Sequence, residues 1–204
     1  MGPFWPIGGI MKHKFDTKTI VLTGLFLALE IIFQTLGNFL QIGPANINVA
    51  LVTVVLAGVI CGPISGAVLG FFNGIMALLS PSTIAIFMPI NPAATVIICL
   101  LKCTLAGLIS GLVFILFKKK NRFLGLVLAS LLVPVVNTGT FCIGSLLFFR
   151  PFLESGVGET FPNIGAFLIF GVIGWNFIFE ITSTVVLSPT IGMILLKREE
   201  KAQQ

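Results

Sequence analysis

The run from Pro92 to Phe117 constrains the fold most, because it is long and apolar and has a single charged side chain, Lys102. About 20 apolar residues in a helix cross a bilayer core. The whole chain is 56% hydrophobic and 9% charged, with a mean hydropathy of +1.11. Soluble domains have about 25% charged residues, so the composition indicates an integral membrane protein. We predict an all-α fold, because a helix satisfies its own backbone hydrogen bonds in lipid.

Six apolar runs, separated by short polar or irregular stretches, predict six transmembrane helices. Gly62 and Pro63 leave almost no loop between the second and third runs, so these two helices should form an antiparallel pair. Pro134 and Pro189 lie inside the last two runs, and we expect a kink or a cytoplasmic extension in the long final helix. The predicted helices cover residues 17–36, 49–60, 64–79, 92–117, 123–149 and 164–196.

The positions of the basic residues predict the orientation. Lys and Arg cluster before the first helix, in the 118–122 loop and at the end of the chain, with Lys102 and Arg150 as exceptions. The positive-inside rule then places both termini in the cytoplasm of a bacterial cell, with the helices in its plasma membrane. Residues 1–10 are interpreted as a non-native or disordered extension, because Met11 followed by Lys-His-Lys is a more natural start. Residues 11–204 form one six-helix domain.

Several function classes are disfavoured by what the sequence contains. It has no G-x-x-x-x-G-K-[ST] loop, so we expect no ATP hydrolysis by this chain. Cys99 and Cys103 are one helical turn apart, but buried free cysteines usually act as small hydrophobes, so no metal or other cofactor is expected. One histidine and no Asp within the predicted helices give no nucleophile–base pair for an enzyme. The net charge of +5 lies in loops and termini, which indicates topology rather than nucleic-acid binding.

Lys102 needs a partner within the membrane. A buried cation costs about 2.5–3.5 kcal/mol on insertion scales. Lys102 is about ten residues, or about 15 Å, from either end of its run, which is too far for the side chain to reach water. The ammonium could pair with Glu30 or Glu180, or it could meet a ligand carboxylate, and both interpretations remain open.

Polar residues of the predicted outer loops and outer membrane half indicate a binding pocket. The outer loops are rich in Asn, Pro, Gly, Ser and Thr, and amide groups suit a small polar ligand. Asn48 and Asn91 could instead cap helices. Pro134 frees a backbone carbonyl close to Asn137. The predicted substrate-binding residues are Gln34, Asn46, Asn91, Lys102, Asn137, Thr138, Trp175 and Asn176.

Small residues recur at four-residue spacing. The series from Gly58 to Gly74, with Gly107 and Gly111, predicts close internal packing of helices two to four. Gly24 and Ala28 form a similar pair on helix one, which could instead dock a partner helix.

The segments LTGLFLALEIIFQ and NINVALVTVVLAGVICGPISGAVLGFFNGIMALL resemble the first three helices of the substrate-binding (S) components of energy-coupling-factor (ECF) vitamin transporters. The resemblance extends from Met11 to about Leu196. It implies a high-affinity vitamin binder that works with a transmembrane scaffold subunit and two cytoplasmic ATPases. The family's A-x-x-x-A scaffold contact on helix one is Gly24-x-x-x-Ala28 in this chain.

The segments NPAATVIICLLKCTLAGLISG and PVVNTGTF resemble the pantothenate-type members, and Lys102 suits a ligand carboxylate. The alternatives are an S component for hydroxymethylpyrimidine, riboflavin, folate or niacin, and an autonomous proton-coupled carrier that uses Glu30 or Glu180. The chain has no Tyr and only two Trp, which leaves few side chains for stacking large flat ligands.

Overall fold

The computed structural model describes residues 17–39, 41–42, 45–46 and 48–202; the predicted extension at residues 1–10 lies outside this part of the chain. The described fold is helical apart from one short antiparallel hairpin, in which β1 (Gln41–Ile42) pairs with β2 (Ala45–Asn46). The helices are α1 (Thr17–Phe39), α2 (Leu51–Ile60), α3 (Pro63–Leu78), α4 (Pro92–Phe117), α5 (Arg122–Phe148), α6 (Arg150–Ser155), α7 (Ile164–Ala166) and α8 (Gly174–Ala202). Two π-helical segments, Thr83–Phe87 and Phe167–Ile173, complete the fold.

Four helical stretches of the described chain are long and apolar enough to cross a membrane by length and composition: Thr17–Gly37, Pro92–Phe117, Arg122–Phe148 and Ile164–Arg198. The helices α2 and α3 are also apolar but have only 10 and 16 residues. At about 1.5 Å per residue, α2 is about 15 Å long, which is half of a bilayer core. The predicted all-helical class is confirmed, and the six spans remain a prediction.

The turn between α2 and α3 has the geometry that its sequence predicts. Gly62 has φ of 100°, which a residue with a side chain rarely adopts, and Pro63 occupies the first turn of α3. The chain therefore reverses with almost no loop. Gly58 and Gly66 face each other across this turn, and a Cβ added at Gly66 would lie 2.8 Å from the Cα of Gly58.

The core is built around α2, which packs against α1, α3, α4, α5 and α8. Backbone-to-backbone contact joins α3 to α4, as the small-residue spacing predicts. A Cβ at Gly74 would lie 2.7 Å from the carbonyl oxygen of Cys99, and Gly66 faces the backbone of Gly107 as closely. The predicted internal packing of helices two to four is confirmed.

Two of the predicted irregular loops contain helical turns. Thr83–Phe87 lies within the second loop and α6 within the third. The start of the predicted last helix is irregular, because the Phe167–Ile173 segment is π-helical and Gly174, the residue after it, has φ of 27°. Pro134 and Pro189, by contrast, lie within uninterrupted stretches of α5 and α8.

Candidate functional site

A cavity of about 90 Å³ lies among α1, α4, α5, α8 and the segment that joins α3 to α4. A cavity needs a volume of about 10–15 Å³ to hold one water molecule, so this cavity has room for several ligand atoms. Five of the predicted site residues line it together: Gln34, Lys102, Asn137, Thr138 and Asn176. The other polar residues that line it are Asn48, Ser80, Ser82, Thr83, Thr95 and Glu180.

Lys102 projects from α4 into the cavity and lies against an aromatic ring. Its Nζ atom is 5.3 Å from the ring centroid of Phe141, a distance at which the ring face attracts a cation. Among the described residues no carboxylate oxygen lies within the 4.0 Å of Nζ that would make an ion pair. Part of the ammonium's hydrogen-bonding capacity therefore remains for a ligand.

Glu180 is the acidic group that faces Lys102, and it interacts with the ammonium over a longer distance than an ion pair. Its side chain is 6% exposed, and Thr138 Oγ1 donates to Oε2 at 3.5 Å. The backbone N–H of Asn48 and the side chain of Asn137 are also within reach of the carboxyl group. Of the two predicted acidic partners, Glu180 lines the cavity and Glu30 does not.

Glu180 and Asn176 both belong to α8, and both line the cavity. Asn176 and Glu180 are one helical turn apart on the buried face of α8. The irregular backbone at Gly174 lies just before them. Both residues can therefore reach the same cavity.

A pair of amides fixes the start of α2 against α3. Asn48 Nδ2 donates to Asn73 Oδ1 at 2.8 Å, and Asn73 Nδ2 donates back to Asn48 Oδ1 at 3.4 Å. The prediction that Asn48 caps a helix is wrong, since the residue before α2 is Ala50 and no side chain caps it. Asn73 was not among the predicted site residues, and its only signal is an amide in an apolar, glycine-rich helix.

Two predicted site residues, Trp175 and Asn91, do not line the cavity, and a third, Asn46, is not described at its side chain. Trp175 is 64% exposed, because it lies about 100° around the helix from its buried neighbour Asn176. Asn91 caps α4, since its Oδ1 accepts a hydrogen bond from the backbone N–H of Ala94 at 3.1 Å. Asn46 belongs to β2, and its side chain lies outside the part of the chain that the structure describes.

The segment between α3 and α4 contributes residues that no single motif predicted. Ser80 Oγ donates to Thr83 Oγ1 at 2.8 Å, and Thr95 Oγ1 donates to the carbonyl oxygen of Phe87 at 3.0 Å. The ring of Phe87 lies 5.6 Å from that of Phe141 and 5.0 Å from that of Phe149. These three rings form an aromatic wall in the cavity lining, and the Lys102 ammonium lies over one of them, Phe141.

α1 presents two different faces. Glu30 and Gln34 are 0% and 2% exposed and point into the bundle. Gly24 and Ala28 lie on the exposed side, and a Cβ added at Gly24 would meet no atom within 4 Å. The surface of α1 at Gly24 is therefore not covered by any other described part of the protein.

The site combines one ammonium, one carboxyl group, several amides and hydroxyls, and an aromatic wall. This composition can bind a small molecule with an acidic end, hydrogen-bonding groups and an apolar part.

Comparisons with known proteins agree with a transport role. The family described as "ECF transporter, substrate-specific component" matches residues 18–191. A relative from Leuconostoc mesenteroides subsp. mesenteroides, described as "Pantothenate transporter PanT", is 28% identical over 201 residues. The alignment covers 91% of this chain and 96% of that relative.

Proposed function

This chain belongs to the substrate-specific components of ECF transporters, and we propose that it is the high-affinity membrane subunit that binds pantothenate. The observation that carries the proposal is the Lys102 ammonium in a buried cavity with no ion-pair partner within 4.0 Å among the described residues. A carboxylate ligand would satisfy this cation. The similarity to a pantothenate transporter supports this choice of ligand.

The parts of pantothenate match the parts of the cavity. Its carboxylate would bind Lys102. Its two methyl groups would pack against the aromatic wall of Phe87, Phe141 and Phe149. Its amide and hydroxyl groups would exchange hydrogen bonds with amides such as Gln34 and Asn176, which both donate and accept.

The chain is a component of a transporter rather than an enzyme, and it is a multi-pass membrane protein. We propose six spans with both termini in the cytoplasm of a bacterial cell, because this orientation places the basic 118–122 loop inside. Energy would come from two ATPase subunits through a scaffold subunit. The exposed Gly24–Ala28 face of α1 would dock on that scaffold, because small residues allow close approach of helices in lipid.

The test compares pantothenate with panthenol, in which an alcohol replaces the carboxylate. We expect purified protein to bind pantothenate without ATP and more tightly than panthenol. A hydrogen bond to a charged group contributes about 1.5–3 kcal/mol, which is about a tenfold to 150-fold difference in Kd. Lys102→Met should remove this difference, whereas Lys119→Met, which changes an exposed lysine, should keep it. Isothermal titration calorimetry measures the Kd of each ligand for each protein variant.

Three results would contradict the proposal. A folded Lys102→Met protein that still prefers pantothenate would exclude Lys102 from the site. Binding of riboflavin, folate, niacin or hydroxymethylpyrimidine in place of pantothenate would assign a different vitamin. Counterflow of pantothenate into liposomes that contain this chain alone would show an autonomous carrier.

A further inference from the structure

The charged groups of the cavity balance each other when it is empty. Lys102 and Glu180 are the two charged side chains among the described residues that line it. Lys102 is half-buried and Glu180 is 6% exposed, so neither charge is fully hydrated. One ammonium and one carboxylate give the empty site a net charge of zero.

A carboxylate ligand would disturb this balance. Bound at Lys102, it would place a second carboxylate beside Glu180 and leave one net negative charge inside the bundle. An uncompensated charge is costly away from water. Two carboxylates that share a site commonly hold one proton between them, because the negative charges repel each other. No other cationic side chain of the described residues lines the cavity to offset that charge.

Resting on the proposed function, we propose that Glu180 takes up one proton from solvent when a carboxylate ligand binds at Lys102. The proton adds to a carboxylate oxygen of Glu180, Lys102 keeps its ammonium, and the occupied site is again neutral. The protein therefore binds the vitamin anion together with a proton.

The groups around Glu180 can accommodate both of its forms. The backbone N–H of Asn48 can only donate, which suits the ionised carboxylate. Thr138 Oγ1 donates to Oε2 at 3.5 Å, but a hydroxyl can also accept from a protonated carboxyl group. The side chain of Asn137, whose Oδ1 accepts from Cys103 Sγ at 3.5 Å, is also near the carboxyl group, and its amide nitrogen suits the ionised form.

Few titratable groups face Glu180. α4 brings Lys102 and the thiol of Cys103, whereas Asn48 before α2 and the α5 residues near the carboxyl group carry no charge. Glu30 lies on α1 outside the cavity wall and next to Asn73. It is the other buried carboxyl group in the described part of the bundle, which makes Glu30→Gln the matched control.

The experiment is calorimetric titration of the purified protein with pantothenate in two buffers of different ionisation enthalpy. The pantothenate carboxyl group is already ionised between about pH 6 and pH 9, so it contributes no proton change there. We expect uptake of one proton per ligand bound. Because the complex binds more protons than the free protein, Kd should rise with pH, by up to about tenfold per unit. Panthenol, which brings no charge, should bind without proton uptake.

Two variants test which carboxyl group takes up the proton. Glu180→Gln should abolish proton uptake, make Kd independent of pH, and bind pantothenate more tightly than the wild type at the alkaline end. Glu30→Gln should keep the uptake of the wild type. Zero uptake by the wild type, uptake that persists in Glu180→Gln, or uptake that disappears in Glu30→Gln would each overturn the inference. Wild-type protein that binds no pantothenate would instead refute the proposed function, and this inference with it.

Discussion

Substituting Gly107 tests whether the α3–α4 glycine contact holds the bundle together. A Cβ at Gly107 would collide with the carbonyl oxygen of Gly66 and lie 2.6 Å from its carbonyl carbon. Carbon atoms in ordinary contact are about 3.5–4.0 Å apart, so the two helices would have to separate by about 1 Å. Backbone atoms cannot move aside as a flexible side chain can. Gly107→Ala should therefore destabilise the contact on which α4 and its lysine depend.

Two opposing effects set the change in the free energy of folding that Gly107→Ala causes. Overpacking costs about 1–3 kcal/mol, and the upper end applies because backbone atoms obstruct the new methyl group. Alanine regains about 1 kcal/mol through its higher helix propensity. We expect a net loss of about 2 kcal/mol, which lowers the folding equilibrium constant about thirtyfold. Gly139→Ala is the matched control on α5, since a Cβ there meets no atom within 4 Å.

The assay is reversible unfolding in mixed micelles as the fraction of sodium dodecyl sulfate increases, followed by circular dichroism. Gly107→Ala should unfold at a lower fraction of this detergent than the wild type. Gly139→Ala should match the wild type or exceed it slightly. Equal unfolding of the two alanine variants would refute the reasoning, because helix propensity alone would then account for both.

The other predictions concern the cavity, the amide pair and α1. Asn176→Leu should weaken pantothenate binding about two- to tenfold through loss of a hydrogen bond, whereas Trp175→Phe should leave Kd unchanged in equilibrium dialysis. Asn48→Leu should lower the free energy of unfolding by about 1–3 kcal/mol because it leaves a buried amide unpaired, and adding Asn73→Leu should recover part of that loss in the same detergent titration. Gly24→Leu should prevent co-purification with the scaffold subunit, while the isolated variant binds pantothenate like the wild type; co-purification at the wild-type level would exclude this face.

The helices of this protein follow closely from its sequence, because apolar runs and helix-ending residues are local signals. Pro63 and Pro92 mark the starts of α3 and α4, whereas Asn91, which was predicted to bind the ligand, is the N-cap of α4. A kink in the long final helix was expected from Pro189, whereas the irregular backbone lies at Gly174. Gly174 carries no distinct signal there, since glycine also occurs inside unbroken membrane helices such as α5.

The residues of the cavity wall follow less completely, because residue counting gives depth but not direction around a helix. Depth alone grouped Gln34, Lys102 and Asn137, and all three line the cavity. It could not separate Asn176 from Trp175, which share a depth and face different ways. The contribution of the segment between α3 and α4 was visible only as general polarity, because a π-helical turn has no periodic pattern to read.

The position of Lys102 suits a site that must remain ready to bind. A close ion pair with Glu180 would satisfy the ammonium, and a ligand would then have to break that pair. The structure instead covers the cation with the ring of Phe141, whose attraction is worth about 0.5–2 kcal/mol, less than a charged hydrogen bond can contribute. The carboxyl group of Glu180 accepts a hydrogen bond from Thr138 Oγ1 at 3.5 Å and lies farther from the ammonium than an ion pair would. The empty cavity can thus keep its charges balanced and still leave the ammonium available to an incoming carboxylate.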